Sequence, residues 1–309
     1  NVAFLWIDTG KEARLVAALG DAHAWKFLRE RPELRAAWPA GTKPEEENPQ
    51  SDKHATVLWT DLNADGKPQP DELQMTKGDA RGITVTRELD FIVSRLGKDT
   101  AMFSPTSFDA NGVPHYDFKP TRLGPAGGNP PSSGGDQTLH LDEWTISTNS
   151  TAPFSPHGLA GMFKGEPRWS YPSLWPGLHA SHEAAVSDRP GMVVGHTRLL
   201  GDFINGPTGP MFGINGNMGN MYLFTADGLF VGTLFHDIRL RPNWAAPVAT
   251  RNMNVTDVSL HDENFWPSMT QTPDGKVLLI DGGRTSLVRV DGLETLKRLP
   301  DHALTVTTT

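Results

Sequence analysis

The 309-residue chain carries 28 Lys and Arg against 36 Asp and Glu, a formal net charge of −8, and contains no cysteine. Disulfide frameworks, thiolate metal sites and cysteine nucleophiles are thereby excluded, and the lack of a basic stripe removes the electrostatic footprint of a nucleic-acid or anionic-membrane binder. Apolar residues make up 37%, while 31 Gly and 25 Pro punctuate the chain, the profile of many short strands joined by turns.

In chain order, Val2 to Asp8 (VAFLWID) reads as a buried strand. Glu12 to Trp38 is expected to form a helical insertion, because Leu15, Leu19, Ala22, Trp25 and Leu28 recur at helical spacing until Pro32 interrupts the run. The polar stretch Lys43 to Lys53 is a loop, and Ala55 to Thr60 (ATVLWT) a strand that enters an acidic turn. From residue 80 onward strands and turns dominate: ITVT and FIVS within Gly82 to Ser94, Leu139 to Ser147, Met192 to Leu200, and YLFT and LFVGTLF flanking Ala226-Asp227-Gly228. Lys276 to Ile280 and Ser286 to Val290 repeat the pattern. Gly124 to Gly135 (GPAGGNPPSSGG) is expected to be a flexible surface loop. No apolar run approaches the roughly 18 residues of a membrane-spanning helix.

These hairpin units return at roughly the 40–50-residue scale of propeller blades, about four or five of them. The expected fold is all-β: a single propeller or partial propeller over residues 1–309, with one helical insertion near the N-terminus. A β-sandwich shares the same strand grammar. Asn1 stands directly before a strand with no signal peptide ahead of it, so a processed product or fragment is expected, with any missing blades before Asn1. Another chain completing the propeller is the corresponding partner.

The strongest chemical signal is Asp61-Leu-Asn63-Ala-Asp65-Gly66-Lys67-Pro-Gln69-Pro-Asp71-Glu72, which fits the twelve-residue calcium-loop pattern at each constrained position. Ca2+ takes six to eight hard oxygen ligands, and alternate positions of a curled loop aim oxygens inward. Asp61, Asn63 and Asp65 supply side-chain oxygens in this reading. Lys67 gives its backbone carbonyl, Gln69 acts directly or through water, Glu72 closes the site with two oxygens, and Gly66 permits the sharp turn. A strand enters where an EF-hand has a helix, and Pro68 and Pro70 restrict the exit, so an isolated structural site is expected. A solvated acidic turn without metal is the plainer reading.

Four segments carry a resemblance: Trp175-Pro-Gly-Leu-His-Ala-Ser-His182, Thr197-Arg-Leu-Leu-Gly201, Gly213 to Gly228 (GINGNMGNMYLFTADG) and Asn264 to Gly275 (NFWPSMTQTPDG). On these, residues 50 to 300 resemble exported bacterial NHL-like propeller proteins. The resemblance implies propeller architecture and a secreted or cell-surface location, and it supplies no activity.

Candidate site residues follow. His179 and His182 sit three apart and can ligate metal or transfer protons; hydrogen bonding across a blade is the plainer role. Arg198, with Arg189 nearby, can hold a carboxylate bidentately or tie blades together. Asn215, Asn217 and Asn220 lie in a Gly-rich run that lets backbone approach a ligand. Asp262, Glu263 and Trp266 set carboxylates beside an aromatic, although adjacent strand residues point to opposite faces. Trp169, Tyr171 and Trp175 share one strand parity and form either a sugar-stacking platform or inter-blade filling. The leading expectation is a secreted calcium-binding propeller that engages polysaccharide or glycoconjugate without catalysis. The alternatives are a lyase or hydrolase using His179 or His182 with Arg198 on a uronate carboxylate, and a structural cell-surface or matrix protein.

Overall fold

A computed structural model of the protein describes residues 2–48, 51–130, 135–155, 157–187, 189–240, 250–256, 258–259, 261–282, 286–301 and 305. Five antiparallel sheets follow one another along the chain. The first contains β1 (Val2–Asp8), β2 (Ala13–Asp21), β3 (Ala55–Thr60) and β4 (Leu73–Lys77). The second contains β5 (Ala80–Val85), β6 (Phe91–Leu96) and β7 (Asp99–Phe103); after the small hairpin β8 (Ser107–Phe108) and β9 (Pro114–His115), β10 (Thr121–Pro125) completes it. The third is β11 (Thr138–Leu141), β12 (Trp144–Ser147), β13 (Gly158–Phe163) and β14 (Glu166–Pro172). In the fourth, β15 (Arg198–Leu199) and β16 (Ile204–Gly206) both pair with β17 (Gly209–Asn215), followed by β18 (Met221–Thr225) and β19 (Phe230–Leu234). The fifth is β20 (Ser268–Gln271), β21 (Val277–Ile280) and β22 (Leu287–Val290). This is an all-β, propeller-like fold, and the expectation of four or five blades is met by five sheets.

The sheets are glued face to face by apolar side chains. Ala17, Leu19 and Leu58 of the first sheet meet Phe91 and Val93 of the second. Leu139, Ile146 and Leu159 of the third meet Phe212, Ile214 and Phe224 of the fourth, and Met211 and Leu223 of the fourth meet Met269 and Leu279 of the fifth. Between the second and third sheets the contact is polar: Thr138 Oγ1 donates to Ser94 Oγ at 2.9 Å. From the turn between β5 and β6, Arg87 reaches Asp202 at 3.4 Å and Thr270 at 3.5 Å. The second sheet therefore also meets the ends of the fourth and fifth.

Backbone ladders stop at each sheet's edge, and three glutamines bridge the gaps. Gln74 accepts from the Phe118 N–H and donates to the Tyr116 carbonyl, both at 2.8 Å. Gln271 does the same with Asn205, at 2.9 and 3.0 Å. Gln137 accepts from the Leu199 N–H at 2.9 Å. In the first two, a primary amide imitates a peptide group and satisfies one backbone donor and one acceptor.

The helical insertion is shorter than residues 12–38. Ala13–Asp21 is a strand; helical structure begins at Ala22 and consists of a 3₁₀ turn to Ala24, α1 (Lys26–Glu30) and a 3₁₀ turn over Pro32–Ala37. The cause is burial on both faces of β2. Ala17 and Leu19 face the second sheet, while Ala18 packs with Trp25, Leu28, Leu34 and Trp59. A strand covered on both sides is continuously apolar and loses the period-two signal, so its leucines matched a helical template by accident. The insertion covers the face of the first sheet opposite the second, and burying Leu28 and Leu34 there stabilises by roughly 1.5–3 kcal/mol each. Met192 to Leu200 is largely irregular; only Arg198–Leu199 pairs as strand. Residues 131–134 of the expected 124–135 loop lie outside the described residues. No helix among the described residues is long and apolar enough to cross a membrane.

Candidate functional site

Loop 61–72 joins β3 to β4. Its curl is fixed by side chains that hold its own backbone. Asp61 accepts from the Asp65 and Gly66 N–H groups at 3.1 and 3.2 Å, and Asp65 accepts from the Lys67 N–H at 2.8 Å and from Gln69 Nε2 at 2.7 Å. Asn63 Oδ1 takes the Asp65 N–H at 3.1 Å. Gly66 adopts a φ of +72°, which an L side chain resists. At the closing end, Glu72 is buried; Oε1 accepts from the Leu62 N–H at 2.9 Å, and Oε2 from the Gln69 N–H at 3.1 Å. The Glu72 N–H donates to the Gln69 main-chain carbonyl at 3.1 Å.

The donor set fits calcium. Asp61, Asp65 and Glu72 bring three carboxylates to one small loop, and Asn63, Gln69 and the Lys67 carbonyl add neutral oxygens. Against these stands Arg14, whose Nε lies 3.4 Å from Asp61 Oδ2 and whose Nη1 donates to the Ala64 carbonyl at 3.2 Å. One guanidinium leaves the loop's carboxylates short of positive charge.

A second polar region is a cavity of about 1010 Å³ bordered by the first strands of successive sheets and the segments leading into them. Its lining includes Arg81 and Ile83 of β5, Arg95, Asp136, Gln137 and Arg198. Two of its cations are matched: Arg95 Nε donates to Asp136 Oδ2 at 2.8 Å, and Arg81 Nε to Asp79 Oδ2 at 2.5 Å. Burial nevertheless pushes the Asp136 carboxyl above its ordinary range, against the lowering effect of Arg95.

Arg198 differs. Its guanidinium stacks over the Trp266 ring at 3.9 Å from the centroid, and it makes no ion pair with a carboxylate among the described residues. Burial lowers its pKa below the ordinary arginine value, the direction expected of a cation short of counter-charge. Trp266 is 73% exposed and has a φ of +61°, an uncommon left-handed conformation for a bulky residue. The Trp266 segment is held by Asn215 of β17, whose Nδ2 donates to the Asn264 carbonyl at 3.0 Å.

The other expected site residues fall elsewhere. His179 is exposed on α2 (Gly177–Ser181). His182 ends that helix and pairs with Glu263 at 2.8 Å. Neither lines the cavity, nor does Arg189; His182 and Arg198 instead both reach the 263–266 segment, through Glu263 and Trp266. Asn217 is buried and structural: it donates to the Leu178 carbonyl at 3.1 Å and Ser181 Oγ at 2.7 Å.

Nor do Trp169, Tyr171 and Trp175 form a sugar platform. Trp169 donates to the Ala226 carbonyl at 3.1 Å and stacks against Phe212; Tyr171 donates to the Gly228 carbonyl at 2.8 Å and packs on Phe224. They fill the space between the third and fourth sheets. Trp175 lies past the end of β14, in the turn before α2, so strand parity no longer relates it to the other two. Sequence reasoning missed Arg81, Arg95, Asp136 and Gln137. For Arg81, Asp136 and Gln137 the signal was available: a polar residue on, or just ahead of, the first strand of a blade borders the cavity; Arg95 reaches it from β6.

No family model matches this chain, and no curated protein gives a significant match. Among solved structures, it is similar to a protein of unknown function from Bacteroides caccae, at 9% identity and a TM-score of 0.34 over 77% of this chain and 65% of that one. It is also similar to BamB from Moraxella catarrhalis, at 10% identity and 0.30 over 78% and 59%. A third likeness is to a protein of unknown function from Bacteroides thetaiotaomicron, at 14% identity and 0.36 over 77% and 52%. The chain spans between about half and two thirds of the length of these structures, and no binding or chemistry transfers at such scores.

Proposed function

We propose that this chain is a non-catalytic binding module of an exported, NHL-like propeller, and that it takes an acidic glycan through a carboxylate docked on Arg198. Calcium in the 61–72 loop secures the first sheet. The observation that carries the reading is Arg198 itself: a half-buried guanidinium on the cavity wall, stacked on an exposed tryptophan, with no carboxylate of its own among the described residues. A planar guanidinium presents a fork of donors that matches a carboxylate bidentately, and an exposed indole beside it offers a face for a sugar ring. The net charge of −8 repels a polyanion at long range, so binding through one local cation is weak and salt-sensitive.

Calorimetric titration with an oligogalacturonate and with a neutral oligosaccharide of equal length tests this. The acidic sugar is expected to bind, to weaken with added salt, and to be lost in Arg198→Ala. Failure of both sugars to bind at millimolar concentration would overturn the reading and leave the structural surface-protein alternative.

A further inference from the structure

We propose that Asp21, His23 and His54 form a second metal site, selective for a zinc-class divalent ion and separate from the calcium loop. The three side chains come from the end of β2, the 3₁₀ turn after it and the residue just before β3, and all three are buried. One ligand atom from each lies within 4.8 Å of the other two.

The orientation of the imidazoles carries the argument. His23 Nε2 lies 2.7 Å from the Lys43 carbonyl, and His54 Nε2 lies 2.9 Å from the Asn48 carbonyl. A carbonyl only accepts, so both Nε2 atoms must carry a hydrogen. In a neutral ring the proton on Nε2 leaves Nδ1 as a bare lone pair. Both Nδ1 atoms are turned to one acceptor group. His23 Nδ1 is 3.3 Å from Asp21 Oδ1, and His54 Nδ1 is 3.2 and 3.1 Å from Oδ1 and Oδ2. Two lone pairs facing a carboxylate repel it unless something positive lies between them. Either both rings carry an extra proton, which sets two imidazolium rings 4.2 Å apart in a buried space, or one cation serves all three groups. Nearby, Arg81 Nη2 is 3.9 Å from Asp21 Oδ2, outside hydrogen-bond reach.

The spacing suits a metal. Zinc binds His nitrogen and Asp oxygen at about 2.0–2.1 Å in a tetrahedron, which sets neighbouring ligand atoms about 3.3 Å apart. The Nδ1–carboxylate separations of 3.1–3.3 Å match that edge. The groups that would orient the ligands are also in place: each ring gives its remote N–H to a backbone carbonyl, the usual device for fixing tautomer and ring direction, and Asp21 Oδ1 accepts the His23 N–H at 3.0 Å. Two imidazoles in a set of three favour a borderline ion over calcium, which takes oxygen. Such an ion would clamp the helical insertion and loop 38–54 onto the first sheet.

The test uses the full chain, stripped with a chelator and titrated with Co2+, then with Zn2+ in competition. One equivalent should bind, the cobalt form should show tetrahedral d–d bands, and millimolar Ca2+ should not displace it. His23→Gln and His54→Gln should each weaken binding at least tenfold, while Asp65→Ala in the calcium loop should leave it unchanged. Because a buried substitution can unfold the region, long-range 1H–15N NMR of the wild type supplies an independent readout. Zinc should shift both Nδ1 resonances with Nε2 still protonated. Absence of a bound equivalent in the wild type, equal binding by folded variants, or doubly protonated rings unmoved by zinc would overturn the proposal.

Discussion

The indole N–H of Trp59 donates to Glu72 Oε2 across 2.9 Å, with both residues buried. One end of this bond lies in the apolar filling between β3 and the helical insertion; the other is the closing carboxylate of loop 61–72. Glu72 is thus held in place by the core before any ion arrives, and what happens in the loop is felt in the first sheet.

Calcium should therefore raise thermal stability by mass action. In a metal-stripped sample, added calcium should raise Tm and a chelator reverse it. Asp65→Ala, at an exposed position, should abolish the calcium response at little other cost. Glu72→Gln should go further, because the NH2 of its amide must face either the Leu62 N–H or the Gln69 and Trp59 N–H groups, and leaves that side without an acceptor. A loss of about 1–3 kcal/mol without calcium is expected from donors left unsatisfied. A Tm indifferent to calcium counts against the site.

Arg198→Ala should weaken acidic oligosaccharide binding by about 1.5–3 kcal/mol, the range for hydrogen bonds to charged groups. Arg198→Lys should recover only part of this, because an ammonium neither forks nor stacks as guanidinium does. Among the described residues no histidine lines the cavity, whereas Asp136 with its raised carboxyl does, so any gain in affinity on acidification should vanish in Asp136→Asn; a gain that survives it would implicate His179 or His182.

His196 predicts a pH response of the fold itself. It is fully buried, its Nε2 lies 2.7 Å from the Thr148 carbonyl, and burial lowers its pKa below the ordinary 6.5. The unfolded chain then binds a proton at a pH where the folded chain does not, and stability falls as pH drops through the unfolded value. Urea denaturation between about pH 7 and about pH 5 should show this slope, and His196→Gln should flatten it relative to wild type.

Gly161 lies under the Trp169 ring, where an added Cβ would come within 2.2 Å of the indole. Gly161→Val should destabilise sharply, and Trp169→Ala should cost about 3 kcal/mol by opening a cavity between sheets. Folded Trp169→Ala protein should bind sugars as wild type does. Loss of binding with stability intact would restore the platform reading.

Much of the fold was legible where one face of a strand meets water or a turn is marked by Gly. β1 and the β18–β19 hairpin lie where the short apolar runs and the Ala226-Asp227-Gly228 turn put them, and β3, though covered on both faces, was legible because its short run ends at the acidic loop. β2 was hidden because both faces are covered. The inner strand of the fourth sheet was misjudged in length because only two short pieces pair. The 61–72 loop is local, so the pattern that suggests calcium is readable in twelve letters. The Arg198 wall and the Asp21–His23–His54 cluster are assembled by residues far apart in sequence, and no spacing rule joins Asp21 to His54.

The glutamine bridges make the seams sensitive to the exchange of one NH2 for one oxygen. Hydrolysis of the Gln271 amide to a carboxylate would leave an oxygen where Nε2 now donates to the Asn205 carbonyl. An attractive contact would become a repulsion between two acceptors, while the mass of the chain changed by only about one dalton. Gln74 stands under the same threat at the Tyr116 carbonyl. Glutamate at position 271 or 74 should therefore act at the seams, loosening neighbouring segments from one another before any strand within a sheet lets go.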